Sequence, residues 1–181
     1  MKRTTTAVLA LIAVLLAIPP LSAEGKAIIL DYHTFLGSKR GNLDYSEQEL
    51  ADQLDEMKAM GYSFVSLDDA VAGRIEGVAN IVVTIDDGNH TVFPAFKDVM
   101  EPRGIKPWLF VYPAIVLGHV RYALTPEKLR ELSSAGCGIG AHGYHHNPVT
   151  DKTWERDPKD FLTEIERPGT PYAWRVFSFT S

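Results

Sequence analysis

The sequence of 181 residues contains a single cysteine, Cys137, which excludes an intrachain disulfide framework. It has no cluster of Lys and Arg beyond its first residues, and its net charge of −5 argues against nucleic acid as a partner. Internal repeats, low-complexity tracts and linkers are also absent. With 45% hydrophobic and 23% charged residues, the composition is typical of one globular domain and not of a disordered chain.

The chain also lacks an apolar segment long enough to cross a membrane, which requires about 20 residues. Its longest such segment, residues 7–18, follows a basic pair and precedes a proline pair. A basic start, a short apolar core and a cleavage site after Ala23 are typical of a secretory signal peptide. We therefore expect residues 1–23 to be a signal peptide, residues 24–181 to be the mature domain, and the protein to be secreted or periplasmic. An uncleaved anchor is the alternative.

The rest of the chain alternates between apolar segments typical of strands and amphipathic segments with helix-capping residues. Strands are predicted at residues 27–33, 62–67, 81–85, 106–112, 139–141 and 176–180. Helices are predicted after Ser46, Ser66 and Thr125, and over residues 92–100 and 159–165. This order predicts an α/β fold with a parallel sheet covered by helices. Because so few strands do not close an eight-stranded barrel, either the sheet is open or the chain is incomplete.

The strand predicted at residues 81–85 ends in Asp86-Asp87-Gly88. Successive side chains of a strand point to opposite sides, so the two carboxylates leave the strand in different directions. Carboxylates at this end of a buried strand are costly unless a cation meets them, and α/β folds place their active sites at this edge. An ordinary turn is the alternative. A second pair, Asp68-Asp69, is predicted to be only a helix cap with first-turn acid.

Residues 141–148 contain three of the six histidines. Two of them, His142 and His146, are four positions apart, so one turn of helix would bring them onto the same face. Neutral imidazoles combined with a carboxylate suit a divalent transition metal, most of all zinc, with cobalt and nickel also compatible. His33 follows the first predicted strand, where either a structural or a catalytic role fits.

Taken together, residues 84–88 (TIDDG) and residues 142–148 (HGYHHNP) resemble the first two motifs of the polysaccharide deacetylases, carbohydrate esterase family 4. The resemblance covers about residues 27–165. It implies a distorted (β/α) barrel, here without its last strands. It also implies a hydrolase that removes N-acetyl groups from a polysaccharide containing N-acetylglucosamine.

The resemblance also implies roles for individual residues. Asp87, His142 and His146 would hold the metal, and Asp86 would be the general base. His145 competes with His146 as the second imidazole ligand, but the family spacing favours His146.

Other parts of the family pattern are altered or missing. Gly143 replaces the family's hydroxyl residue, and residues 170–173 (TPYA) retain only the end of the third motif. The poly-N-acetylglucosamine deacetylases of biofilm export take their general acid from the first strand, which implies that role for His33. Tyr144 is the candidate for binding the sugar, with Trp108 and Tyr112 as further aromatic candidates.

The sequence therefore predicts a secreted, metal-dependent polysaccharide N-deacetylase with a polysaccharide as its partner, no nucleic acid and no stable membrane span after signal cleavage. Chitin, peptidoglycan and an exopolysaccharide all remain open as substrates. The alternative is a catalytically inactive carbohydrate-binding protein or a truncated deacetylase-like protein, because the third motif is incomplete.

Overall fold

The computed structural model describes residues 25–38 and 41–166. The predicted signal peptide, the TPYA segment and the predicted strand at residues 176–180 lie outside these ranges. The strands are β1 Ala27–Tyr32, β2 Ser63–Phe64, β3 Asn80–Ile85, β4 Trp108–Val111 and β5 Gly138–Ala141. The α-helices are α1 Glu47–Ala59, α2 Leu67–Val71, α3 Val92–Ala95, α4 Pro113–Leu117, α5 Pro126–Ser134, α6 Asp151–Arg156 and α7 Pro158–Glu166. A π-helical turn, Phe96–Met100, and a 3-10 turn, Glu101–Arg103, continue α3.

All strand pairs are parallel, which confirms the predicted sheet. The strand order is β1-β3-β4-β5, and β2 pairs with the beginning of β3. Tyr32 lies beside Ile85, and Val111 lies beside Ala141. The carboxyl ends of β1, β3, β4 and β5 therefore lie at the same edge of the sheet.

The β3 strand is central, and all six of its residues are buried. Helix α1 contributes Leu50 and Leu54 to the core, where both side chains are fully buried. Phe96 and Met100 from the π-helical turn belong to the same apolar cluster. Burial of this kind is the main stabilising contribution to folding, and it makes the sheet a firm support for the residues at its edge.

Local capping signals are confirmed. Ser46 forms a complete capping box with Glu49 at the start of α1. Thr125 caps α5, and Pro126 occupies its first turn. Ser66 caps α2 and accepts a hydrogen bond from the backbone N–H of Asp69. Asp68 and Asp69 thus lie in the first turn of a short helix, as predicted.

Three details differ from the sequence-based expectation. The predicted strand at residues 62–67 is reduced to the two residues of β2. Strand β1 is not buried throughout, because Ile28 and Ile29 are 48% and 59% exposed. Within the described residues β1 pairs only with β3, so it lies at an edge of the sheet. The short helices α4 and α6 were not predicted.

No helix in the described part of the chain is both long and apolar enough to cross a membrane.

Candidate active site

The polar residues that follow three of the strands meet at the carboxyl edge of the sheet. The backbone N–H of Asp86 donates to the carbonyl of Tyr32 at 2.8 Å, which continues the pairing of β3 with β1. The backbone N–H of His142 donates to the carbonyl of Val111 at 3.0 Å, which continues the pairing of β5 with β4. The sheet itself therefore fixes the backbone positions of Asp86 and His142.

Asp87, His142 and His146 form a compact cluster at this edge. Asp87 Oδ1 lies 3.0 Å from His146 Nε2 and 3.6 Å from His142 Nε2. One candidate ligand atom from each residue lies within 4.8 Å of the other two. Asp87 adopts a left-handed backbone conformation, with φ of 70°, and Gly88 follows with φ of 77°. This tight turn directs the Asp87 carboxylate towards the two imidazoles.

The two histidines do not share a helix, so the helical route by which they were expected to meet is wrong. Residues 142–149 form neither helix nor strand. His146 has φ of 68°, in the left-handed region that is strained for a residue with a side chain. The loop, and not a helical turn, brings the imidazole rings to a centroid distance of 4.8 Å. Strained backbone of this type is concentrated at functional sites.

The cluster fits a divalent metal ion. Asp87 Oδ1 is buried and accepts no hydrogen bond from any described residue. A buried carboxylate oxygen without a donor is costly, and two neutral imidazole nitrogens with lone pairs directed at it would repel it. A cation between the three groups removes both penalties. One carboxylate and two imidazoles are a common ligand set of catalytic zinc sites with an open position.

Asp86 is 8% exposed, and its Oδ2 lies 3.4 Å from Nε2 of His142, the same nitrogen that faces Asp87. None of the ion pairs in the described part of the chain joins Asp86 to a Lys or Arg. Burial, followed by the charges of Asp31 and Asp87, raises the pKa of Asp86 to about 7. A divalent cation beside it would lower this pKa by direct attraction of the carboxylate.

His33 lies next to Asp86 because β1 and β3 are paired in parallel. One ligand-type atom each from Asp31, His33 and Asp86 lies within 4.8 Å of the other two. His33 Nδ1 is buried, has no hydrogen-bond partner among the described residues, and lies 3.7 Å from Asp31 Oδ2. Asp31 itself is held by the hydroxyl of Thr84 at 2.8 Å. The pairing of β1 with β3 thus places His33 and Asp31 beside Asp86.

The aromatic residues are distributed differently from the sequence-based expectation. Tyr144 is only 9% exposed and packs edge-on against His145, so it offers little surface to a sugar. Trp108 is buried in the sheet. The ring of Tyr112 lies 5.0 Å from that of His146. Tyr122, which the sequence did not single out, is half exposed beside Tyr112, and burial together with this neighbour raises the pKa of Tyr112.

His145 and His146 have different partners. His146 faces Asp87, whereas His145 Nδ1 lies 2.8 Å from Oε1 of Glu164 on α7. Sequence reasoning missed Glu164. One signal was available in the sequence. Glu164 is three residues after Phe161, so in the predicted helix it lies on the same apolar face and is expected to be buried.

The family model of the polysaccharide deacetylases matches residues 76–168, just over half of the chain. The chain belongs to this family. A comparison with curated protein sequences gives no significant match.

Solved structures of the family have the same fold. IcaB from Ammonifex degensii is 25% identical, with a TM-score of 0.70 over 87% of this chain and 76% of that one. The deacetylase PplD from Streptococcus pyogenes, in complex with acetate, is 17% identical, with a TM-score of 0.61 over 81% of this chain and 66% of its own. The deacetylase domain of BpsB from Bordetella bronchiseptica is 15% identical, with a TM-score of 0.61 over 89% and 82%. These matches confirm the predicted α/β fold of the polysaccharide deacetylase type.

Proposed function

We propose that the protein is a secreted, metal-dependent N-deacetylase of a polysaccharide that contains N-acetylglucosamine. One observation carries this proposal: Asp87, His142 and His146 face one another beside the buried carboxylate of Asp86. Family membership and the similarity to IcaB support the substrate class. The signal-like residues 1–23 support export to the periplasm or beyond the cell.

Asp87, His142 and His146 would hold the metal, with zinc as the first candidate and cobalt or nickel as alternatives. When bound, such an ion polarises the acetyl carbonyl and makes water more acidic. The three residues would orient the substrate's acetamide towards Asp86 by fixing the ion at the carboxyl edge of the sheet. Their arrangement leaves the substrate side open, since Asp87 and the side chain of His146 are only partly buried.

Asp86 would act as the general base. Its carboxylate accepts the proton from the attacking water while the water oxygen bonds to the carbonyl carbon. The site suits this step because Asp86 is fixed by the sheet and paired with no permanent cation among the described residues. In this proposal Asp86 accepts the proton and Asp87 binds the metal, so the two carboxylates have different roles.

His33 would act as the general acid. Cleavage of the bond between carbonyl carbon and nitrogen leaves a sugar amine, which must gain a proton as acetate departs. Asp31 Oδ2 lies 3.7 Å from His33 Nδ1. The sequence predicts Tyr144 as the sugar contact, but Tyr144 is nearly buried, and the half-exposed Tyr122 offers the larger aromatic surface to a sugar.

Acetate release tests this function directly. The purified protein with added Zn²⁺, Co²⁺ or Ni²⁺ should release acetate from poly-N-acetylglucosamine, chitooligosaccharide or peptidoglycan, measured by an enzyme-coupled acetate assay. The preferred polymer will identify the substrate. Binding of a polymer without any acetate release would contradict the proposal and favour an inactive carbohydrate-binding protein.

Metal binding provides a separate test. His142→Ala should abolish stoichiometric zinc binding, measured by isothermal titration, because it removes the ligand that the sheet holds most firmly. His119→Ala is the matched control, since His119 is exposed and is not part of the cluster. Unchanged zinc affinity in His142→Ala would remove His142 from the ligand set.

A further inference from the structure

Glu164 is a buried carboxylate that the proposed reaction does not use. Its residue is 1% exposed, and within the described residues no Lys or Arg pairs with it. Burial of an anion is costly unless strong hydrogen bonds replace its hydration. A carboxylate retained at such a position therefore needs donors directed at both of its oxygens.

The donors come from the loop between the two histidines of the cluster. The backbone N–H groups of Tyr144, His145 and Asn147 donate to Glu164 at 3.0, 2.9 and 3.3 Å. His145 Nδ1 lies 2.8 Å from Oε1, and the amide of Asn147 donates to the same oxygen at 3.3 Å. Successive amides that converge on one anion form a nest. The carboxylate thus binds residues 144–147 as a unit.

The same region does not suit a second metal ion. One ligand-type atom each from His145, Asp160 and Glu164 lies within 4.8 Å of the other two. However, both oxygens of Glu164 already accept backbone N–H groups, whose positive ends point into the space that a cation would occupy. The contacts match an anion held by donors.

The loop needs such a support. His142 continues the sheet, but His146 follows four residues later without helix or strand, and both Gly143 and His146 have left-handed backbones. Beyond the sheet, the N–H of Ala114 donates to the carbonyl of Tyr144 at 3.1 Å. A Cβ on Gly143 would lie 2.7 Å from Glu164 Oε2, so the carboxylate also explains why glycine is required there.

From these contacts we infer that Glu164 is a positioning residue: through the backbone of residues 144–147 it holds His146 at Asp87 and turns His145 away from it. This inference rests on the proposed function, in which His146 is a metal ligand. Glu164 is not one of the three proposed metal ligands and would act on the metal only through the loop. Its effect is to fix the strained loop in the single conformation that presents the correct imidazole.

The test is zinc affinity of Glu164→Gln. The variant keeps the size of the side chain but replaces one acceptor oxygen with an NH₂ group that faces the loop's own donors. Loss of a residue that orients a metal ligand typically lowers metal affinity about 10- to 100-fold, and we expect a decrease in this range. The matched control is Glu155→Gln, on the exposed surface of α6, which should bind zinc as the wild type does.

The cobalt spectrum separates positioning from a general loss of stability. In the Co²⁺-loaded protein, Glu164→Gln should shift the visible d–d bands towards those of His146→Ala, while far-UV circular dichroism stays unchanged. Wild-type affinity and an unchanged spectrum in folded Glu164→Gln would overturn this inference alone. A wild-type protein that binds no metal would overturn the proposed function and the inference with it.

A second variant approaches the contact from the loop. Gly143→Ala places a methyl group against Glu164 Oε2 and should weaken zinc binding in the same way, even if Glu164→Gln does not fold. Gly73→Ala is the control, since Gly73 has a similar φ of 66° but open space around it. Equal zinc affinities of Gly143→Ala and Gly73→Ala would contradict the inference.

Discussion

The chain contains two Asp-Asp pairs with opposite surroundings. Asp69 is 47% exposed, and its pKa is lowered first by the hydrogen bond from the Ser66 hydroxyl and then by Arg74. Asp86 is buried, faces histidines instead of an arginine, and has its pKa raised. The same dipeptide therefore stabilises a helix start in one region and concentrates unneutralised charge in the other.

The difference comes from the residues in front of each pair. Ser66 begins a short exposed helix, whose N-terminus attracts negative charge. The second pair follows the fully buried strand β3, so its carboxylates emerge where the carboxyl ends of four parallel strands converge. An acid pair is informative about function when the element before it is buried, because its desolvation is costly and must be offset by a cation or by hydrogen-bond donors.

The largest expected effect is on acetate release when one aspartate of each pair is replaced by asparagine. Asp86→Asn should lower acetate release by about 10²- to 10⁴-fold, because a neutral amide does not accept the proton of water. Zinc affinity should remain near that of the wild type, since Asp87, and not Asp86, is the proposed ligand. The matched variant Asp68→Asn should retain full activity. Equal losses in the two variants, or an active Asp86→Asn, would show that the surroundings do not separate the two pairs.

A smaller effect is expected on the free energy of unfolding when the glycine that follows each Asp-Asp pair is replaced by alanine. Gly88 and Gly73 both have left-handed backbones, which cost a residue with a side chain about 1–2 kcal/mol. A Cβ on Gly88 would also lie 2.6 Å from Cγ1 of Val111, whereas Gly73 has open space. Overpacking of this type adds about 1–3 kcal/mol.

Urea denaturation should therefore show a larger loss in the free energy of unfolding for Gly88→Ala than for Gly73→Ala. Gly88→Ala should also reduce zinc affinity, because it displaces the turn that directs Asp87. Equal losses of stability would mean that Val111 yields to the extra methyl group, and that the turn is less tightly enclosed than its contacts indicate.

Local signals in the sequence were sufficient for much of the fold. Capping at Ser46 and Thr125 depends on residues within one helical turn, so the starts of α1 and α5 were predictable. The β3 strand was predictable from its continuous apolar sequence, and so were the positions of Asp87 and His142 after the ends of buried strands. Each of these features depends on neighbours in the chain or on the general geometry of parallel sheets.

The missed features depend on contacts between distant segments. Helical spacing suggested one turn of helix between His142 and His146, but two left-handed residues and the distant carboxylate of Glu164 shape that loop instead. Glu164 is 20 residues from Tyr144 in sequence, and no periodicity links them. The exposure of Ile29 likewise depends on the position of β1 in the sheet, which its own apolar sequence does not reveal.

The smallest expected effect tests whether the exposed pair is only structural. Ser66→Ala removes the hydroxyl that accepts the backbone N–H of Asp69 at 3.0 Å, and loss of such a cap costs about 1 kcal/mol. The free energy of unfolding, measured in urea, should fall by this amount while acetate release per folded molecule stays unchanged. A decrease in activity would couple the first pair to the active site. In that case the exposed Asp69, and not only the buried Asp86, would contribute to catalysis.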